Sequence, residues 1–421
     1  RGGEYGPYRQ TDRYDLYRRY AARLLDEDRA YRCFCSAAEL EETRRLQLER
    51  RETPRYAGTC RRLPPDEIRE RVGRGDPFTL RLRVRPGCVG FDDLVFGRIE
   101  IETSQVSDPV LVRSDGSPTY NFCCVVDDLL MRISHVVRGD GHLSNTHRQV
   151  LIYEALSAEP PRFAHLSTIL GPDGQKLSKR HGATSIEDFR RRGYLPEALV
   201  NYLALLGWSP PEDGREVLAL DEIREQFDLG RVQKSPAIFD TAKLDWMNRT
   251  WIIRTPGAEL LPPARPFFVA AGLLPAESSP ALDAWAGRVI DLVKTRVDHL
   301  DQLPEAAEVV YGADPPALDA DARAALAAPE GREVALDFVR RVEAGGALTP
   351  EGYRRIVGEV KSATGRKGRH LYHPIRAVLT GRGSGPDLET LAPLCDEGAR
   401  LPLPRPVLSP AARARRILEA V

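Results

Sequence analysis

The pattern of apolar residues changes once along this chain of 421 residues, close to residue 185. Upstream of that point, residues 78–85 alternate strictly between apolar and polar side chains. Residues 94–101 and 110–113 are also strand-like, and the three runs predict an antiparallel β-rich block. Downstream, apolar residues recur at helical spacing, and the proline-rich stretch 256–266 is predicted to connect helices. The length allows about two to four domains, so the pattern predicts a mixed α/β part followed by a helical part.

A single α/β unit follows the β-rich block. Residues 133–138 are predicted to form a buried strand and residues 139–141 a loop, with Asn145 or Thr146 capping the next helix. Ligands of open α/β sheets bind beyond the carboxyl ends of the strands, and Arg138 lies at such an end. A guanidinium is costly to bury there unless an anion meets it. That anion is either part of a ligand or part of the protein.

Two neighbouring carboxylates precede this strand. Asp127 and Asp128 could supply the anion for Arg138, which would make Arg138 a structural ion-pair residue. They could instead hold Mg²⁺ beside a nucleotide, because they follow two valines as in a Walker-B strand. The printed sequence contains no Gly-x-x-x-x-Gly-Lys-Ser/Thr loop to accompany such a strand. Both alternatives remain open from the sequence.

The sharpest local feature is a basic loop. Only seven of the 61 basic residues are lysines, yet Lys176 and Lys179 lie three positions apart, directly after the turn signal Pro172-Asp173-Gly174. Arg180 follows them. A basic, glycine-flanked loop suits a polyphosphate whose charge grows as it leaves. The alternative interpretation is a solvated hairpin tip.

The segment Lys176-Leu177-Ser178-Lys179-Arg180 resembles the second signature of the class I aminoacyl-tRNA synthetases, the loop that grips the phosphates of ATP. Further segments resemble the glutamyl-tRNA synthetases in the same order: residues 6–11, 114–122, 125–128, 135–146, 181–185, 364–369 and 374–381. The resemblance implies four regions: an incomplete Rossmann-type α/β catalytic core (1–31 and 119–170), a β-rich connective insertion for the acceptor stem (32–118), a signature-loop and stem-contact region (171–255), and an all-α anticodon-binding region (256–421).

The resemblance also implies an activity, the ATP-dependent ligation of L-glutamate to tRNA(Glu) through glutamyl-adenylate, with Mg²⁺ accompanying ATP. The matching small-molecule positions are Lys176 and Lys179 at the pyrophosphate, His142 and Leu177 at the nucleotide, and Tyr120, Cys124 and Arg138 at the glutamate side chain. The predicted tRNA contacts are Arg81 and Arg83, beside Arg85 on one strand face, and Arg366, Lys367 and Arg369 near the anticodon. For the strand arginines, a solvated sheet face is an equally good prediction.

Two departures from the family pattern affect the expected active site. The first class I signature, of the His-Ile-Gly-His type, is absent from the printed residues. We therefore expect the chain to lack an N-terminal segment and to be inactive by itself in adenylate formation. The loop after Arg138 has the sequence Gly139-Asp140-Gly141-His142, where the family usually has Gly-Glu-Asp-His. This change alters the expected ATP pocket.

Three cysteines and a tyrosine form a candidate zinc site in the insertion, namely Cys33, Cys35, Tyr56 and Cys60. Tetrahedral Zn²⁺ takes four N, S or O donors, so three thiolates and one phenolate suffice. Relatives with zinc here often end in Cys-x-His, whereas no histidine lies between residues 33 and 60. The alternative is a set of reduced core cysteines left from a lost site. An odd total of seven cysteines argues against a disulfide scaffold.

Three other functions compete with this interpretation. Glutaminyl-tRNA synthetase has a β-barrel anticodon part, whereas residues 281–421 are helical in pattern. A shorter paralogue that glutamylates a modified tRNA base lacks an anticodon domain, and a non-catalytic tRNA-binding module needs no pyrophosphate loop. The net charge is zero, so tRNA binding must rely on local basic patches. No apolar run is long enough for a bilayer, and we expect a cytoplasmic monomer without a membrane partner.

Overall fold

The computed structural model describes residues 3–178, 180, 182, 185–212, 214–277, 279–312 and 318–421. Lys179, one of the two predicted pyrophosphate lysines, lies outside these residues. The chain divides into two compact units, and each is described by itself. The first unit consists of residues 1–170, 206–211 and 226–238, and the second of residues 171–205, 212–225 and 239–421.

The first unit is a mixed α/β structure. Its helices are α1 (Tyr14–Asp26), α2 (Ala37–Glu49), α3 (Pro65–Gly73), α4 (Tyr120–Leu130) and α5 (Leu143–Ala155). Its strands are β1 (Ala30–Cys33), β2 (Thr79–Leu82), β3 (Cys88–Asp93), β4 (Gly97–Glu102), β5 (Val110–Val112), β6 (His135–Gly139), β7 (Arg162–Leu166), β8 (Ile169–Leu170) and β9 (Ala237–Ile238). The last two pair in parallel.

A four-stranded sheet with the order β4-β3-β7-β6 carries the candidate site. Strand β7 runs parallel to both β3 and β6, while β4 is antiparallel to β3. Helix α5 packs on β3 and on α4. The core between them is apolar and includes Phe91, Phe122, Val125, Val126, Ile152, Tyr153 and Phe163. Because parallel strands share one carboxyl edge, the ends of β3, β6 and β7 meet there, and polar side chains from distant parts of the chain converge.

The β-rich block between α1 and α4 is confirmed, with shorter strands than the sequence predicts. The alternating run 78–85 forms β2 over four residues only, because its antiparallel partner β1 pairs with four residues. Strand β5 flanks β2 on the other side. The run 94–101 splits, since residues 94–96 form the turn between β3 and β4. In that turn the Asp93 carboxylate accepts the backbone N–H groups of Val95 and Phe96.

Two predictions about the α/β unit are wrong. The strand predicted to be buried is β6, which lies at the edge of its sheet, with Val137 50% exposed. Among the described residues no strand pairs with its outer side, so its apolar side chains stay partly uncovered. The predicted helix caps also fail, because α5 begins at Leu143 with His142 at its N-cap position. The Thr146 hydroxyl lies inside the first turn, 3.1 Å from the His142 carbonyl oxygen.

The second unit is helical apart from its loops. Its helices are α6 (Ile186–Arg191), α7 (Pro196–Leu205), α8 (Leu220–Gln226), α9 (Thr241–Arg254), α10 (Gly257–Ala270), α11 (Pro280–Val293), α12 (Leu303–Tyr311), α13 (Ala320–Ala327), α14 (Pro329–Ala344), α15 (Pro350–Thr364), α16 (Arg369–Thr380), α17 (Leu388–Gly398) and α18 (Pro410–Glu419). The start and stop signals of α15 are confirmed. The Thr349 hydroxyl accepts the Gly352 N–H at 3.0 Å, and Gly365 ends the helix with a φ of +68°.

The connector predicted at residues 256–266 is wrong, because helix α10 spans it despite three internal prolines. Each proline removes a backbone donor, but this helix buries Leu260, Leu261, Ala264 and Phe268 against its neighbours, including α11. This burial of apolar side chains is what favours the helix against the prolines. None of the helices in the described ranges is both long and apolar enough to span a membrane.

Candidate active site

Arg138 lies one residue before the carboxyl end of β6, opposite His165 of β7. Its Nε donates to His165 Nε2 at 3.2 Å, and its Nη2 donates to Thr146 Oγ1 at 2.6 Å and to Gln149 Oε1 at 2.7 Å. Thr146 and Gln149 project from α5, which follows β6 directly. All three acceptors are neutral, and no described residue forms an ion pair with the Arg138 guanidinium. Neutral groups therefore hold the cation in place, and its charge acts to lower the pKa of Asp128, which lies beyond ion-pair distance.

The two carboxylates that compete for Arg138 in the sequence have other surroundings. Asp127 accepts Arg13 Nε at 2.6 Å, and both of its oxygens accept the Tyr17 hydroxyl. It therefore joins α4 to α1 and does not pair with Arg138. Asp128 receives the Cys124 thiol at 3.6 Å, and burial raises its pKa. Neither carboxylate forms an ion pair with Arg138.

Three of the predicted small-molecule residues surround Arg138. Tyr120 and Cys124 lie one turn apart on α4, and the Tyr120 ring is 6.0 Å from the His142 ring. Burial raises the pKa of Tyr120 and that of Cys124, the latter to about 11, while the nearby Arg138 charge acts to lower both. Cys124 is thus a neutral thiol at physiological pH and lines the site as a small, weakly polar wall.

The remaining acid of the loop after Arg138, Asp140, has a structural role. The Asp140 carboxylate accepts the Thr168 hydroxyl at 2.6 Å and the Thr168 N–H at 3.2 Å. This ties the loop to the segment that follows β7. The next residues turn as a short 3₁₀ segment into α5, so His142 faces Tyr120 instead of pairing with Asp140.

The basic signature loop belongs to the second unit. It opens as a turn in which Gly171 N–H donates to the Gln175 carbonyl at 2.7 Å, and Asp173 receives the Gln175 N–H at 2.9 Å. Arg180 pairs with Asp173 at 3.2 Å. Lys176 is exposed and Leu177 is partly buried. These contacts fit a solvated turn and a phosphate-binding loop equally well.

The thiol cluster of the insertion comes together in the structure. The sulfur atoms of Cys33, Cys35 and Cys60 lie within 4.8 Å of one another, with Cys35 and Cys60 3.5 Å apart. The Tyr56 hydroxyl is 3.3 Å from the Cys33 sulfur and 4.0 Å from the Cys35 sulfur. These four atoms are brought together by β1 and by the turn at residues 56–60. They are the donors expected for a tetrahedral metal site.

The acceptor-stem role predicted for Arg81 does not agree with its position. Arg81 is 8% exposed, stacks 4.0 Å above the centre of the Tyr56 ring, and donates to the Asp108 carbonyl at 2.9 Å. Arg83 donates to the Arg61 carbonyl at 3.0 Å and pairs with Asp28 at 3.1 Å. The outer sheet face is covered, because the chain around residues 56 and 108 packs over it. Arg85 alone of the three is exposed.

The basic residues predicted near the anticodon lie together on the second unit. Arg366 and Lys367 are in the short connection between α15 and α16, and Arg369 begins α16. Lys367 and Arg369 are exposed, and Tyr372 on the next turn is 50% exposed. Among the described residues none of the three cations forms an ion pair. An exposed aromatic ring beside unpaired cations is a surface suited to unstacked RNA bases.

Several site residues escape sequence reasoning. Gln149 and Thr146 follow Arg138 within one helix, so their helical spacing could have indicated them. The Gln149 amide nitrogen donates to Asn121 at 3.3 Å, which turns its oxygen toward Arg138. His165 and Asp93 are 72 positions apart in the chain and meet only through strand order. No local pattern marks that pair.

Comparisons with known proteins agree with this architecture. Residues 2–246 match the family described as tRNA synthetases class I (E and Q), catalytic domain, and residues 259–397 match an anticodon binding domain. The glutamate–tRNA ligase of Heliobacterium modesticaldum is 43% identical over 392 residues, which are 93% of this chain and 79% of that protein. The ligase of Carboxydothermus hydrogenoformans is 42% identical over 388 residues, 92% of this chain and 80% of its own.

A solved structure shows the same fold. It is a crystal structure of a glutamate tRNA ligase from Elizabethkingia meningosepticum in complex with its amino acid, and it covers 99% of this chain and 85% of its own, with a TM-score of 0.83 and 29% identity. The predicted fold class is confirmed, namely a Rossmann-like α/β core with a helical anticodon-binding region. The chain belongs to the glutamate–tRNA ligase family of the class I tRNA synthetases.

Proposed function

We propose that this chain ligates L-glutamate to tRNA(Glu) through a glutamyl-adenylate, and that Arg138 receives the side-chain carboxylate of glutamate. The proposed role of Arg138 rests on one observation. Arg138 is a partly buried cation whose three hydrogen-bond partners in the protein are all neutral. A partly buried guanidinium that forms no ion pair with the protein favours an anionic ligand. Tyr120 and Cys124 line the same site.

The nucleotide part of the proposal rests on residues of both units, each taken by itself. His142, which presents its ring beside Tyr120, borders the adenine. Lys176, Leu177 and Lys179 of the signature loop contact ATP, and the two lysines stabilise the charge that develops on the departing pyrophosphate. ATP brings Mg²⁺ on its phosphates.

A zinc ion fits the thiol cluster of the insertion. The ligand atoms of Cys33, Cys35 and Cys60 lie at mutual distances suited to one tetrahedral ion, and the Tyr56 hydroxyl stands beside them as a fourth donor. Zinc there would hold β1 to the turn at residues 56–60. We expect about one equivalent of zinc per chain in protein purified without an affinity-metal step. Cys60→Ser should lose it, while Cys88→Ser, at an exposed cysteine outside the cluster, should keep it. Less than about a tenth of an equivalent in the wild type would assign the cluster to reduced core thiols.

The tRNA part of the proposal places the anticodon loop against Arg366, Lys367 and Arg369, with Tyr372 as a stacking platform. Unpaired, exposed cations release counterions when they meet phosphates, whereas cations already held in ion pairs release few. At the acceptor stem we keep Arg83 as a candidate contact and drop Arg81, whose guanidinium is committed to Tyr56 and Asp108. We expect the enzyme to be a soluble monomer in the cytoplasm.

The activity is tested by ATP–pyrophosphate exchange by the enzyme with tRNA(Glu) present. Exchange should depend on glutamate and be far slower with glutamine at equal concentration. Equal exchange with both amino acids would contradict the assignment of Arg138, because a neutral amide gains little from an unpaired guanidinium. Exchange with glutamine alone would instead favour glutaminyl-tRNA synthetase, the runner-up function.

A further inference from the structure

Behind Arg138 lies a fully buried pair that the activity described above does not use. His165 on β7 and Asp93 at the end of β3 both have side chains without solvent exposure, and His165 Nδ1 is 2.6 Å from Asp93 Oδ2. The same carboxylate accepts the backbone N–H groups of Val95, Phe96 and His165. Burial acts to raise the pKa of Asp93, but these hydrogen bonds outweigh it and hold the pKa below its usual range. Asp93 is therefore ionised.

The hydrogen bonds on its two sides fix the protonation of His165. An ionised carboxylate only accepts, so Nδ1 of His165 must carry a proton. Arg138 Nε only donates, so Nε2 of His165 must be free of a proton to accept it at 3.2 Å. Burial also lowers the pKa of His165. The ring is thus a neutral imidazole of one tautomer, an acceptor that faces Arg138.

This acceptor determines which edge of the guanidinium is free. Nε is engaged by His165, and both protons of Nη2 are engaged by Thr146 and Gln149. Nη1 has none of these three partners, and Tyr120, which the guanidinium contacts, lies on the site side. A planar group held along one edge presents the opposite nitrogen in a fixed direction. Because His165 is neutral, it orients the cation without reducing its charge.

We propose that Asp93 and His165 form a positioning dyad for Arg138, which presents Nη1 to a ligand carboxylate and thereby sets selectivity for a carboxylate over an amide side chain. The proposal rests on the assignment of Arg138 to the glutamate carboxylate. In addition, selectivity depends on His165, which contacts Arg138 but not the ligand. Replacing Asp93 by Asn allows the amide to donate to Nδ1, which turns the ring into a donor facing the Arg138 donor.

The test is the ratio of kcat/KM for glutamate to kcat/KM for glutamine, in ATP–pyrophosphate exchange by the enzyme. His165→Leu and Asp93→Asn should each lower the ratio by roughly tenfold, the effect of losing one hydrogen bond to a charged group. His165→Gln, whose amide oxygen can replace Nε2 as acceptor, should keep most of it. The matched control is His147→Leu, a buried histidine against the same Phe91 ring that does not bond Arg138. It should leave the ratio unchanged.

The outcomes distinguish the proposed dyad from the assignment of Arg138 to the glutamate carboxylate. If Arg138→Gln lowers the ratio and His165→Leu does not, the dyad is only structural and the proposal is overturned. If Arg138→Gln itself leaves the ratio unchanged, the carboxylate assignment fails first. Should the dyad variants not fold, ¹⁵N shifts of His165 in the wild-type chain decide. A neutral ring protonated at Nδ1 supports the dyad, and a ring protonated at Nε2 overturns it.

Discussion

The three cations of the anticodon surface give a prediction whose size follows from their surroundings. Arg366, Lys367 and Arg369 form no ion pair among the described residues, so none of the three charges is neutralised there; Lys367 and Arg369 are exposed, while Arg366 is partly buried. Each phosphate neutralised on single-stranded nucleic acid contributes about −0.7 to the slope of log K against log salt, so replacing all three by Gln should reduce the slope by about 2. When the salt concentration rises tenfold, the factor by which the wild-type affinity falls should be about a hundred times larger than the factor for the triple variant.

The assay is tRNA binding by the whole chain, titrated at several salt concentrations. A matched control removes three arginines that already have acidic partners: Arg288, bonded to Glu397 at 2.6 Å, Arg354, bonded to Glu351 at 3.0 Å, and Arg415, bonded to Glu343 at 2.6 Å. Changing these to Gln alters net charge by the same amount and should leave the slope nearly unchanged. Equal slopes for the wild type and the first triple variant, or equal changes in both, would refute the anticodon assignment.

Two further predictions concern buried charges. Arg413 donates to the carbonyls of Val309, Val310 and Leu379 at the ends of α12 and α16. Arg413→Met should therefore lower the free energy of unfolding of the second unit by about 2–4 kcal/mol, measured by urea unfolding. An unchanged free energy of unfolding would show that these contacts do not stabilise the fold. Asp93 has a lowered pKa, so its ionised form stabilises the fold above about pH 4, the unfolded value. The stability gap between wild type and Asp93→Asn should therefore shrink as the pH falls through the lower pKa of the folded state, and a constant gap would contradict the ionised dyad.

Local patterns predicted those elements whose causes are local. The start of α15 at Thr349 and its end at Gly365 follow from caps written in neighbouring residues. The position of Arg138 at a strand end also follows from the sequence, because the apolar run 133–138 is followed directly by the loop 139–141. Where the deciding partner is distant, the prediction failed. Arg81 looks like a free cation on a strand, but Tyr56 and Asp108 cover it.

Competition between effects explains the remaining differences. Three prolines predict a break at residues 256–266, yet the burial of apolar side chains keeps α10 helical. The apolar run before Arg138 predicts a buried strand, yet β6 lies at an edge, and strand order cannot be obtained from one run. The dyad of Asp93 and His165 is hidden for the same reason, because its two members come from different strands.

The central claim is that Arg138 is paired with a ligand carboxylate and not with the protein. It is tested most directly by the glutamate-to-glutamine ratio of kcat/KM in the enzyme and in its Arg138→Gln variant. The control is Arg148→Gln, a change at an exposed arginine of α5. Loss of a charge-assisted pair worth about 1.5–3 kcal/mol should lower the ratio by roughly ten- to 150-fold in Arg138→Gln. The control should keep the wild-type ratio. An unchanged ratio in Arg138→Gln together with a lowered Tm would show that Arg138 only supports the fold, and would contradict the account.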